Sequence, residues 1–362
     1  MQTRVLNIML AKGRGGVETM AVRYHEALKA EGYATLSVGH PDGMMAQDLN
    51  GRDFLSLDTF CNHDPLAALK LALIVRRFKP DIILTHGNRA TGLCLMPFVT
   101  GDVRAVQVLH NQCYKPHLKR ARAALCVSGN VIDGLGQAYP DVRRLEVANF
   151  AHLESHPVKG RPGQRPIIGA MGRLHEVKSF DLLIRSAAAL RDAGRDFLLR
   201  IAGDGPQRDA LTALVSELGL KNHVEFVGWV ADPHAFMSSL DLFVMSSRYE
   251  AFGLVVIEAM AAGVPVVSAD IDGPREILQQ GRLGTLFRSG DAQSLAKAVG
   301  TVFADWSGSL RLARQAQSHA MATFGFDAGR RRLAQALQIL RYEDSFWLEQ
   351  RELPDPYAIA AE

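Results

Sequence analysis

Cysteine is scarce in this chain and is not arranged for pairing or metal. Cys61, Cys94, Cys113 and Cys126 all fall in the first half, with no C-x-x-C spacing. That favours reduced thiols in or near the core of a cytoplasmic protein over a disulfide scaffold. Long apolar runs are missing too. Nothing approaches about 18 uninterrupted apolar residues, so no membrane span is expected. The opening "MQTRVLNIML" is too short for a signal peptide and reads as a first strand. A strong charge excess is also absent: +3 over 362 residues lacks the basic face of a nucleic-acid protein. Two nucleotide signatures are missing as well. There is no G-x-x-x-x-G-K-[ST], and the second strand ends "VGH", without the acid that a dinucleotide-binding domain uses on ribose.

What is present is globular: 48% hydrophobic and 22% charged residues. The length exceeds one ordinary core and predicts two domains. Strand-like runs alternate with helical patterns from "RVLNIML" through "DIILTHG", "RAVQVLHN", "AALCVSGN" and "RLEVANF". Residues 151–166, "AHLESHPVKGRPGQRP", break the pattern and read as a linker. Alternation restarts at "IIGAMG" and closes with two helices. The fold class is therefore α/β, with two doubly wound parallel-sheet domains facing a cleft. The boundaries are residues 1–150, the linker 151–166, residues 167–325 and a helical tail, 326–362. Residues 1–160 carry 19 Lys and Arg against 14 Asp and Glu. An anionic partner for that half and a chance imbalance on a solvated surface explain this equally well.

Ligands of such sheets sit beyond the carboxyl ends of the strands. Three loops there carry chemistry. "AKGRGGVE" places Gly15 and Gly16 before a helix, which suits close backbone approach to an anion or simply a tight turn. "GRLHEVKS" holds Arg173 and Lys178, a guanidinium fork and a point charge able to clamp a diphosphate; as isolated loop residues they would only be solvated. "RYEAFGLVVIEAMAAG" holds Glu250 and, seven residues intervening, Glu258 inside an apolar helix expected to start near Phe252 or Gly253. A carboxylate among apolar neighbours needs donors, either an arginine or a backbone amide, or the paired hydroxyls of a sugar or ribose. The amides of Gly253, Leu254 and Val255 suit phosphate. Hydroxyl clamps at both ends with a diphosphate seat between them describe a nucleotide sugar.

These motifs resemble the retaining glycosyltransferases of the GT-B fold in the family numbered four. Its E-x7-E motif is matched by Glu250 and Glu258, its diphosphate loop by Arg173 and Lys178, with Ser179 where glycine is common. "GDGP" at 203–206 and "VEFVGWV" at 224–230 match two further segments near the base, bringing in Gly203 and Val230. The resemblance implies that Glu258 holds ribose and Glu250 orients the donor sugar. It implies that the amides of Phe252 to Val255 hold phosphate or sugar, and that Gly15 and Gly16 face the diphosphate. His110, at a strand end, resembles the family's histidine near the reacting sugar, with His86 a second candidate. The tail is implied to cross back to the first domain. One departure is "IDGPRE", with Asp272 replacing a glycine; it creates Asp270-x-Asp272, which mimics a metal motif of the other glycosyltransferase fold. No metal or other cofactor is expected.

The implied activity is transfer of a sugar, UDP-sugar favoured, to a hydroxyl of a saccharide or lipid-linked acceptor with retention, in envelope polysaccharide or lipopolysaccharide synthesis. A sugar-nucleotide epimerase or hydrolase, and a non-catalytic sugar-nucleotide-binding protein, are the rivals; donor turnover with and without acceptor separates them. Lys115, Lys119, Arg120 and Arg122 form a basic segment that is either a solvated face or a contact for anionic lipid or a phosphorylated acceptor. The expected location is cytoplasmic, peripheral on the inner face of the membrane.

Overall fold

The computed structural model describes residues 2–351 apart from 50, 52, 102 and 104, and the side chains of those residues only as far as 341. The last part of the expected tail, 352–362, lies outside the described residues. The first half runs β1 (Arg4–Met9), α1 (Gly16–Ala30), β2 (Ala34–Gly39), α2 (Met44–Asp48), β3 (Phe54–Ser56), α3 (Pro65–Phe78), β4 (Ile82–His86), α4 (Gly87–Cys94), β5 (Ala105–Leu109), β6 (Ala123–Cys126), α5 (Gly129–Ala138) and β7 (Arg144–Glu146). The second runs β8 (Ile167–Met171), α6 (Phe180–Asp192), β9 (Leu198–Ala202), α7 (Arg208–Glu217), β10 (Val224–Gly228), α8 (Pro233–Ser239), β11 (Leu242–Met245), α9 (Leu254–Ala261), β12 (Val266–Ala269), α10 (Asp272–Ile277), β13 (Thr285–Phe287), α11 (Ala292–Ala304), α12 (Trp306–Phe324) and α13 (Phe326–Arg351).

Two parallel sheets result, in the orders β3-β2-β1-β4-β5-β6-β7 and β10-β9-β8-β11-β12-β13. Helices cover both faces, so the central strands β4, β5, β11 and β12 are buried along their whole length. That is why they read as near-continuous apolar runs, broken only by buried Thr85, His86, Gln107 and Ser268, rather than as alternating ones. Strand order reverses between β1 and β4 in one sheet and between β8 and β11 in the other. Such switch points open a crevice at the strand ends.

Local chemistry fixes the helix limits. Asp64 accepts from the amides of Leu66 and Ala67, with Pro65 in the first turn, and so starts α3. Asp291 does the same for α11. Six elements escaped the sequence pattern: β3 and β13 are three residues each, α2 and α10 five and six, and α4 and α5 start on Gly87 and Gly129. The expected strand over "RLEVANF" shrinks to Arg144–Glu146.

The segment read as a linker begins in packed structure. Phe150 and Ala151 are fully buried, and the Ala151 amide donates to Phe324 O at 2.9 Å. Beyond Gly325, α13 returns to the first domain. Its Leu333, Leu337 and Leu340 pack with Val5, Tyr24 and Leu84. The first domain's core is thus built from two separated parts of the chain.

Candidate active site

The loop after β11 is stitched to the turn that carries Lys178. Ser246 Oγ donates to Lys178 O at 2.8 Å, and the Arg248 amide to Val177 O at 2.9 Å. This brings Lys178 Nζ into an ion pair with Glu250. Arg173, exposed in the same turn, has no side-chain partner among the described residues. Gly253 then takes φ +114, a conformation that penalises any side chain, and serves as the N-cap of α9. The helix therefore starts at Leu254, later than the sequence suggested, and no side chain caps it. Phe252 is buried against Phe324, with ring centroids 5.5 Å apart.

Across the cleft, α1 also starts without a side-chain cap, on Gly15. A Cβ on Gly16 would lie 3.4 Å from Leu254 Cδ1. Two uncapped helix N-termini therefore meet, one from each domain. Each presents free amides and the positive end of its dipole. Glu18 folds over this loop: Cβ atoms on Gly13 and Gly15 would sit 3.0 and 3.2 Å from its carboxylate. Nothing in the sequence pattern had marked it.

Glu258 lies one turn into α9 and faces α1. Its Oε1 is 3.7 Å from Arg23 Nη2, with both side chains largely buried. Burial raises the Glu258 pKa although Arg23 pulls it down; burial likewise lowers that of Arg23. Arg23 also donates to Phe150 O at 3.1 Å. An arginine, one of the donors the sequence left open for this carboxylate, is therefore supplied by the other domain. Arg23 had no sequence signal, being one polar residue on an amphipathic helix.

The two histidines form a buried relay. Asn7 Nδ2 donates to Ala21 O at 2.9 Å, so Asn7 Oδ1 is the atom that meets His86 Nε2, also at 2.9 Å. An oxygen acceptor there requires a proton on His86 Nε2. His86, held neutral by burial, then has a bare Nδ1 that accepts from His110 Nε2 at 2.9 Å. His110 is left with a bare Nδ1, buried and without a partner among the described residues. The relay thus fixes His110 as a hydrogen-bond acceptor at Nδ1, suited to a hydroxyl.

Burial pushes the His110 pKa down to about 4 from 6.5. The sign follows directly: between these values the unfolded chain binds the proton that the folded chain refuses. Stability from this group is complete above pH 6.5 and is lost as pH falls toward 4, on the order of 3 kcal/mol. Thermal unfolding of the parent is expected to weaken more steeply over this range than that of His110→Gln; parallel curves would contradict it.

Other predicted residues are placed as follows. Gly203, at φ +124, packs on the turn after β8: a Cβ there would lie 2.0 Å from Gly172 O. Val230 is half-buried against the core beneath α9. The basic segment is partly occupied with holding the fold. Arg120 donates to Leu95 O at 2.8 Å, Arg122 to Leu340 O, and Lys119 stands over the Tyr139 ring, while Leu118 between them is fully buried. Lys115 makes no such bond among the described residues. Asp270 is bonded to Arg275, which also lies 4.0 Å from Asp272, so one arginine ties both carboxylates. A pocket of about 600 Å³ opens beside His86 in the first domain, lined also by Lys12, Arg89, Asp58 and Phe60.

Three further contacts join the domains. Tyr249 Oη accepts from the Gln112 amide at 2.9 Å, and Ser128 Oγ donates to Ala251 O at 2.9 Å. Glu276 accepts from the Gly129 amide at 3.2 Å. Tyr249 and Glu276 adjoin the motifs that drew attention to the region, yet their partners lie more than a hundred residues away, beyond any local pattern.

Known proteins with this architecture fit the site. Residues 152–319 match the family described as Glycosyl transferases group 1, and residues 14–148 match Glycosyltransferase Family 4. The lipopolysaccharide core biosynthesis glycosyltransferase LpsE of Rhizobium meliloti is 31% identical over 87% of this chain and 93% of its own. LpsD of the same organism is 28% identical over 79% and 84%. Among solved structures, Anabaena Alr3699/HepE with UDP and glucose superposes with TM-score 0.79 at 22% identity, covering 93% of this chain and 100% of that one. The lipopolysaccharide outer core galactosyltransferase WaaB gives 0.72 at 18%, over 93% and 99%. The chain is a glycosyltransferase of GT-B fold and belongs to family four.

Proposed function

We propose that this glycosyltransferase moves a hexose from a UDP-sugar to a hydroxyl of a lipid-linked saccharide during lipopolysaccharide core assembly, with retention and without a metal ion. The observation that carries the reading is the meeting of two uncapped helix starts beside Arg173 and Lys178. Together they offer a seat for a diphosphate whose charge grows as the sugar leaves. Glu258 takes the ribose hydroxyls, and Glu250 and the bare Nδ1 of His110 take hydroxyls of the sugar. Neither glutamate is a free nucleophile, since Lys178 and Arg23 hold them. Attack on the same face as departure, with the leaving phosphate accepting the acceptor's proton, needs neither. The amides and cations also do the work that a divalent ion performs elsewhere. The likeness to LpsE and LpsD supports the acceptor class, and the UDP complexes of the structural neighbour support the base.

A thermal-shift panel of UDP, GDP and ADP with their sugars, run in EDTA, tests this. UDP and its sugars are expected to stabilise the chain most. No shift with any of them would overturn the donor assignment.

A further inference from the structure

The exposed face of α3 does not belong to the cleft. Leu66, Leu69 and Leu73 are 71, 54 and 47% exposed, although spaced as one helical stripe. The opposite face, with Ala67, Ala68, Leu71 and Val75, is already spent on the core. Cations flank the stripe on both sides: Lys70 and Arg77 follow Leu66 and Leu73 by four residues, and Arg76 follows Leu73 by three. None of the three has an ion-pair partner among the described residues. No acidic residue occurs from 65 to 80, and Asp64, the cap, is buried. Phe60, just ahead of the helix, is 90% exposed and also lines the pocket beside His86.

We propose that this face, and not the 115–122 segment, docks the enzyme on an anionic lipid bilayer. A leucine stripe bordered by lysine and arginine is the pattern of a helix lying in the headgroup region. An apolar row of this kind is costly to leave in water, and its cationic borders match anionic headgroups. Phe60, which lines the pocket, precedes Leu66 at the start of the stripe by six residues. Docking therefore sets that pocket, with Lys12 and Arg89, at headgroup level, where a lipid-carried saccharide would be delivered. This deepens the acceptor reading given above and rests on it.

Co-sedimentation of the full chain with phosphatidylcholine vesicles, with and without phosphatidylglycerol, tests the surface. The parent is expected to bind only the anionic vesicles. Lys70→Gln/Arg76→Gln/Arg77→Gln should bind roughly a hundredfold more weakly, about fivefold per cation. Leu66→Gln/Leu69→Gln/Leu73→Gln, all at exposed positions, should lose binding yet keep the parent's thermal response to UDP. Lys115→Gln/Lys119→Gln should bind as the parent does. Parent-like binding by the leucine variant would overturn the proposal. So would a parent that ignores vesicles but forms a dimer in sedimentation equilibrium that the leucine variant lacks, which would assign the face to a second copy. A chain that binds vesicles through these residues yet answers to no nucleotide would refute the donor assignment and leave the docking surface standing.

Discussion

Replacing Lys178 with alanine is expected to lower kcat by roughly 10²–10³ while barely moving the melting temperature. The two effects separate because the ion pair with Glu250 is partly open to water, each side chain being 23% exposed. Pairs of that kind contribute about 1 kcal/mol or less to stability. A cation aimed at a departing diphosphate acts where charge develops, and its removal is felt in the transition state. Arg173, exposed in the same turn and without a side-chain partner among the described residues, supplies the neighbouring charge, so Arg173→Ala should add to the loss. Steady-state kinetics with a UDP-sugar donor provide the check. Parent-like kcat would reduce Lys178 to a structural partner of Glu250.

Glu258→Ala is expected to show two defects at once. Nucleotide affinity should fall at least tenfold, because ribose loses a charged acceptor worth about 1.5–3 kcal/mol. Stability should also fall, on the order of 3 kcal/mol, because Arg23 would stay buried without its carboxylate. The double variant Arg23→Met/Glu258→Leu separates them: an apolar pair of similar volume should recover stability but not affinity. Calorimetric titration with UDP and thermal unfolding measure the two quantities. Affinity restored in the double variant would show that Glu258 serves only as the mate of Arg23.

The second domain was the more legible half. Its site is local: Arg173, Lys178, Glu250 and Glu258 all stand in loops or helix starts next to strands that the pattern identified. The start of α9 was misplaced by one or two residues because a positive φ at Gly253 leaves no trace in hydrophobic periodicity. In the first domain, β3 is too short to alternate, and α4 and α5 begin on glycine, which weakens helical propensity. What a sequence pattern could not supply was pairing across the cleft. It admitted an arginine for Glu258 but could not say which of the chain's 31 arginines it was. The acceptor tautomer of His110 depends on Asn7, two strands away, and on the orientation of its amide.

The chain passes between the two domains twice, and both passages lie side by side at the Ala151–Gly325 bridge. A single tether would let one domain swing and spin about the other. Two parallel tethers pinned together leave a narrower freedom, bending about the line that joins them, while twist is resisted. The α1 and α9 helix starts would then approach and part along one arc. Their register over a substrate would be set by the hinge axis rather than by the substrate itself.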